Sequence, residues 1–261
     1  RALDFIERHR DQPFFLYLPV TLPHANNEAM RERGDGTEVP ELGPYADRPW
    51  PAQDQGHAAM IDRLDRDVGR LRDALRTAGL DQNTLLLFTS DNGPHRESGH
   101  SSERFQSSGP LRGTKRALYE GGIRVPLIAV WPNHIAPATT TDQPGVGYDL
   151  LPTLCEVAGI PPPQGIDGIS LLPTLRGAEA EQAQHDYLYW EFLEQGSRQA
   201  VRMGRWKAIR EPMFTGPIQL FDLHTDTNES HNLAQLHPDL VARAAHAMDE
   251  AHRPGPNWTV P

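Results

Sequence analysis

The sequence predicts an α/β fold: a mostly parallel sheet flanked by helices, followed by a small antiparallel sheet that carries one helix. Three observations predict it. Short apolar runs of strand length alternate with a long amphipathic helical stretch as far as about Gly177. Beyond Gly177 the pattern changes to four closely spaced strand-length runs. A last helical stretch, Pro238 to His252, follows them. The expected division is residues 1–177 as a large α/β domain and residues 178–261 as a small α+β subdomain.

Taken in order, Ala2 to Arg8 reads as a helix. It opens the chain without a methionine, so the sequence reads as the carboxyl-terminal portion of a longer protein. Phe14 to Val20 is an aromatic-rich apolar run and reads as a buried strand, with His24 in the loop beyond its end. Ala25 to Pro51 is polar, rich in Gly and Pro and without a period, so it reads as a long functional loop. From Gln55 to Leu80, Met60, Ile61, Leu64, Val68, Leu71 and Leu75 recur at steps of three and four on one helical face. Gly79 suits the end of that helix. Thr84–Ser90 and Val125–Trp131 are the next strands, and Leu150–Ala158 is a helix stopped by the prolines at 161–163. In the tail, Tyr187–Phe192, Gln199–Met203, Trp206–Arg210 and Ile218–Leu223 are strand candidates. Gly204 and Arg205 stand between two of them like a two-residue hairpin turn.

Composition excludes some function classes. The 261 residues are 38% hydrophobic and 23% charged, as in a folded domain. The formal net charge of −10 argues against nonspecific nucleic-acid binding, which needs a basic face. An anionic substrate stays possible, because one local cluster of cations decides that. No apolar run approaches the length of a membrane span. The one cysteine, Cys155, rules out an intrachain disulfide and sits among apolar groups at helical spacing, as a buried structural thiol would.

The richest stretch runs from Thr84 to Pro132. An apolar run stops abruptly at Asp91, Asn92 and Gly93. Ligands of open parallel sheets collect just past the carboxyl ends of strands. A carboxylate and an amide carbonyl there suit a hard cation such as Ca²⁺ or Mg²⁺. Lys115 follows in a glycine-rich loop that leads into the next strand. Taken singly, Asp-Asn-Gly is also an ordinary turn signal, and Lys115 an ordinary surface lysine.

Together these blocks resemble the sulfatases of the alkaline phosphatase superfamily. The segments that carry the resemblance are Phe88–Pro94, Leu111–Pro126 and Pro13–His24. The resemblance implies an alkaline phosphatase-like fold and hydrolysis of a sulfate ester of a carbohydrate or aryl alcohol. It assigns Asp91 and Asn92 to a calcium ion, alongside acidic ligands from a region absent here. It assigns Lys115 to a sulfate oxygen, and His24 to the sulfate and leaving-group oxygen as hydrogen-bond donor or general acid. The nucleophile of such enzymes is a formylglycine made within Cys/Ser-x-Pro/Ala-x-Arg, expected in a missing amino-terminal region. Ser108-Gly-Pro-Leu-Arg112 fits that pattern literally, yet glycine and threonine follow where a helix should begin, so we read it as coincidence.

His95, Arg96, His100 and Glu103 lie between the metal pair and Lys115, where loops set specificity. His95 stands first among them as a substrate-binding candidate. Export to the periplasm or outside the cell is implied by resemblance only. Two other classes remain open: a phosphodiesterase or phosphonate monoester hydrolase of the same superfamily, and a non-catalytic anion-binding homologue.

Overall fold

A computed structural model describes residues 1–255; residues 256–261, the end of the expected subdomain, lie outside the described residues. In chain order the elements are α1 (Ala2–Arg8), α2 (Asn27–Arg33), α3 (Ala52–Thr77), β1 (Leu86–Thr89), α4 (Ser102–Phe105), α5 (Glu120–Ile123) and β2 (Leu127–Val130). They continue with α6 (Leu150–Val157), α7 (Leu172–Leu175), β3 (Leu188–Phe192), β4 (Arg198–Met203), β5 (Trp206–Arg210), β6 (Ile218–Asp222) and α8 (Pro238–Ala251). The expected α/β class is the one observed. The chain divides into two compact units: Arg1–Phe88, His95–Phe105 and Ile128–Pro137 form the first, and the remaining described residues belong to the second.

In the first unit α1 packs on α3, and β1 pairs with β2. Helix α3 ends as its sequence predicts. Gly79 takes φ 71°, its N–H donates to the Arg76 carbonyl and that of Leu80 to the Leu75 carbonyl. That is a Schellman closure, which glycine makes without a Cβ clash. The first turns of α3 bury Asp54, His57, Ala58, Ala59 and Met60. Asp54, 1% exposed, accepts the Ser101 N–H at 2.6 Å and Arg104 Nε at 2.7 Å. This carboxylate ties the 95–105 loop to the helix.

Two expectations for this unit need correction. Phe14–Val20 is not a strand: it pairs with no strand among the described residues, and Phe15 and Tyr17 are 70% and 77% exposed. Apolar β-formers mark a surface suited to a sheet, and a strand exists only where a neighbour takes up its backbone groups. The 25–51 segment is not structureless, for it contains α2. The Asn26 side chain accepts the Ala29 N–H at 3.1 Å, and Gly34 closes the helix at φ 74°. These caps offset the lack of a longer apolar stripe.

The second unit is built on an antiparallel sheet in the order β3-β4-β5-β6. The hairpin between β4 and β5 turns at Gly204, φ 59°, with Met203 paired to Trp206. Side chains alternate between the two faces. Val201, Ala208 and Leu220 pack against Ala244, Ala247 and Met248 of α8. The adjacent residues Ala200, Ile209 and Phe221 point the other way and cover Leu118. The sheet's second face therefore seats the segment that carries Lys115.

Candidate functional site

The strand-end loop and the lysine loop of the second unit are laced together by backbone. The Lys115 N–H donates to the Pro94 carbonyl at 2.8 Å, the Gly93 N–H to Gly122 at 2.9 Å, and the Gly121 N–H to Arg112 at 2.7 Å. The approach is close enough to require glycine. A Cβ on Gly93 would lie 2.0 Å from the Gly121 oxygen, and one on Gly122 would lie 2.1 Å from the Ala117 oxygen. Asp91, Asn92 and Lys115 thus belong to one rigid frame. Asp91 is exposed and Asn92 half-buried. Asn92 Nδ2 donates to the Gly93 carbonyl at 2.9 Å, which turns its Oδ1 into the acceptor on offer. A carboxylate and an amide oxygen are the donor set of a hard cation, although Ca²⁺ takes six to eight oxygens, more than these two residues supply.

Beneath this frame lies a buried charge cluster that the sequence did not announce. Lys207 on β5 reaches Glu120 Oε1 at 2.8 Å and Glu229 Oε1 at 3.0 Å, with all three side chains at most 4% exposed. Glu229 Oε2 also accepts the Glu120 N–H at 2.6 Å. Burial pushes the Glu229 carboxyl up despite the neighbouring Lys207 ammonium. The arginines beside Lys115 are structural. Arg112 lies 3.8 Å over the Tyr119 ring and donates to the Glu229 carbonyl. Arg116 pairs with Glu194 at 3.0 Å. Ser108 Oγ donates to the Gly113 carbonyl at 2.9 Å within a turn, and no helix starts there.

In the first unit, His24 is exposed, and its Nδ1 meets the Ala25 carbonyl at 2.7 Å. His95 is buried, not at an exposed rim. Its Nε2 meets the Pro23 carbonyl at 3.1 Å, and its Nδ1 accepts the Glu97 N–H at 3.1 Å. One nitrogen donates and the other accepts, so the ring is neutral; burial lowers its pKa accordingly. Arg96 and Glu103 pair on the surface.

His95 and His100 are joined by His57 of α3 in a buried cluster, with one ring nitrogen from each within 4.8 Å of the others. Those nitrogens are close enough to suggest a shared metal ion. The His57 and His100 rings, however, are stacked at 3.9 Å and 17°. A metal bound to two imidazoles lies in both ring planes, so one ring must turn before the three can share an ion. The spacing of His95 and His100 was visible in the sequence; their meeting with His57 depends on the fold.

Burial, then the neighbouring His100 and His95, push His57 down to about 3 from 6.5. The folded state keeps it neutral where the unfolded chain takes up a proton. Stability is therefore expected to fall as pH drops below about 6.5 and to go on falling towards about 3, by up to about 1.4 kcal/mol per pH unit for this group. Urea midpoints of the complete gene product between pH 7.5 and pH 5 check this. The His57→Phe variant should show a flatter dependence.

The family profile described as Sulfatase matches residues 1–160, and that for the N-sulphoglucosamine sulphohydrolase C-terminal region matches residues 113–250. The chain belongs to the sulfatase family. It is 36% identical to arylsulfatase A of Homo sapiens over 87% of its own length and 45% of that protein's. It is 32% identical to the steryl-sulfatase of Rattus norvegicus over 96% of its own length and 43% of that protein's. Among solved structures, Ps i-CgsB in complex with k-i-k-neocarrahexaose matches with a TM-score of 0.77 and 28% identity, covering 95% of this chain and 52% of that one. The chain thus spans less than half the length of the two curated relatives. No helix among the described residues is long and apolar enough to cross a membrane.

Proposed function

We propose that the complete gene product is a sulfatase that hydrolyses a sulfate ester of a carbohydrate or aryl alcohol. One observation carries this reading. A chain matched by the sulfatase profile over residues 1–160 holds Asp91, Asn92 and Lys115 in one backbone-locked frame. Hydrolysis needs positive charge on the nonbridging oxygens as they crowd in the transition state. It also needs a proton for the departing oxygen. Lys115 supplies the first. The family reading gives the second to His24, whose Nδ1 meets the Ala25 carbonyl and whose Nε2 lies 3.3 Å from Glu97 Oε2. Imidazole suits the task because its reference pKa lies near neutrality.

Asp91 and Asn92 would help hold Ca²⁺, or Mg²⁺ in its place, with further ligands from outside this chain. Bound there, the ion would add positive charge against a sulfate oxygen. The nucleophile, a formylglycine, is also placed outside this chain, so residues 1–261 alone are expected to be inactive. His95, with both ring nitrogens bonded, would bear on substrate through the loop it holds. The carbohydrate alternative is supported by the neocarrahexaose complex of Ps i-CgsB. Export from the cytoplasm accords with the family reading.

The test is a comparison of kcat/KM for 4-nitrophenyl sulfate and bis(4-nitrophenyl) phosphate with the complete gene product. Preference for the sulfate is expected. Preference for the phosphodiester would replace this reading with a phosphodiesterase of the same superfamily.

A further inference from the structure

We infer that Glu97 is the positioning residue for His24, holding its ring and supplying the counter-charge for the proton that it delivers. This rests on the reading of His24 as the donor to the leaving group. Glu97 Oε2 lies 3.3 Å from His24 Nε2, with the Glu97 side chain 14% exposed and that of His24 46%. The ring's other nitrogen can only donate to the Ala25 carbonyl, 2.7 Å away, because a carbonyl offers no proton. A proton on Nε2 therefore makes the ring a cation, and the carboxylate beside it is the anion that such a cation requires.

The carboxylate is held from both sides of its own backbone. Its N–H donates to His95 Nδ1 at 3.1 Å, and its carbonyl accepts His100 Nδ1–H at 2.9 Å. Ser98 follows at φ 60°, a left-handed conformation that a non-glycine residue adopts only when its surroundings impose it. His95 Nε2 donates to the carbonyl of Pro23, the residue before His24. One neutral imidazole thus fixes both members of the pair. The buried histidine cluster gains a purpose: it registers the 95–100 turn against the 23–25 turn.

When ester binds, Nε2–H turns from Glu97 towards the bridging oxygen. As the nucleophile's oxygen bonds to sulfur, the bridging S–O bond breaks, its electron pair stays on the departing oxygen, the Nε2 proton passes to that oxygen, and His24 is left neutral beside Glu97. A leaving group of low basicity, such as 4-nitrophenolate, needs little of this help, whereas an alkoxide needs all of it.

The experiment uses the complete gene product and its Glu97→Gln variant, an isostere without the charge. kcat is measured on 4-nitrophenyl sulfate and on a sulfated sugar that the parent protein hydrolyses. On the sugar sulfate, kcat is expected to drop by about tenfold or more, with KM within about threefold, as for a weakened general acid. On the aryl sulfate it is expected to drop by about twofold or less. Glu97→Asp, which keeps the charge, should recover part of the loss on the sugar sulfate, and it carries the test if the glutamine variant does not fold. Equal losses on the two esters, or none, overturn the inference while leaving the sulfatase reading intact. A parent protein that hydrolyses neither ester overturns that reading and this inference with it.

Discussion

Lys115→Ala is expected to lower kcat for sulfate ester hydrolysis by about 10²–10³-fold, the usual cost of removing one preorganised electrostatic group from a transition state. The effect should fall on kcat and also on KM, because a sulfate monoester already carries negative charge on its nonbridging oxygens when it binds. The backbone tie of the lysine loop should survive the change. It is the backbone N–H of Lys115, not its side chain, that ties the loop to the Pro94 carbonyl, and alanine keeps that N–H. Lys115→Arg should recover only part of the rate, since a planar guanidinium fork does not reproduce a compact ammonium. Steady-state kinetics and thermal melts of the three proteins check this. An alanine variant with unchanged kcat would remove Lys115 from the chemistry.

The second large effect is on folding. Lys207→Met should destabilise the protein by about 3–5 kcal/mol, the cost of leaving buried charge without its partner. The methionine fits the stem of the lysine but leaves Glu120 and Glu229, at most 4% exposed, facing each other with no ammonium between them. Arg124, 3.6 Å from Glu120 Oε2 and half exposed, cannot make good that loss. The damage should spread to the site, because Glu120 opens the turn whose Gly122 carbonyl receives the Gly93 N–H. Adding Glu120→Gln and Glu229→Gln to the methionine variant should recover much of the stability, since no buried charge remains unpaired. Urea midpoints decide this. A methionine variant within about 1 kcal/mol of the parent would show that the three groups do not depend on one another as described.

Much of the scaffold was legible because it obeys local rules. The four strands of the small sheet came from alternation, from β-formers and from Gly204 at the hairpin, and their observed limits differ by a residue or so. The long helix was legible from its stripe and from Gly79. The α2 helix was signalled by Asn26 and Gly34, and the polar, proline-rich surroundings hid it. Phe14–Val20 shows the converse: strand character reads from sequence, but the partner that would make a strand does not.

The site was legible in part. Asp91, Asn92 and Lys115 stood out as hard-oxygen and cationic groups at a strand end and in a glycine loop. The reason for the glycines appears only in the fold, where backbones touch. Lys207 reads as an ordinary strand residue, because its partner Glu120 lies 87 positions away and no local pattern reports such a pairing. The pairing of Glu97 with His24 left no local pattern either. His95 stood out as a substrate-binding candidate; that its two ring nitrogens are bonded to the Pro23 carbonyl and the Glu97 N–H was not legible.

The central claim is that the Asp91–Asn92–Lys115 frame receives a divalent ion and a sulfate. A crystal structure of the complete gene product grown with manganese and inorganic sulfate tests it most directly, because anomalous scattering locates the ion without ambiguity. The expected result is an anomalous peak within coordination distance of Asp91 and Asn92 oxygens, about 2.0–2.6 Å, with a sulfate oxygen in hydrogen-bond contact with Lys115 Nζ. A peak at His57, His95 and His100 with none at Asp91, or sulfate bound away from Lys115, would contradict the account.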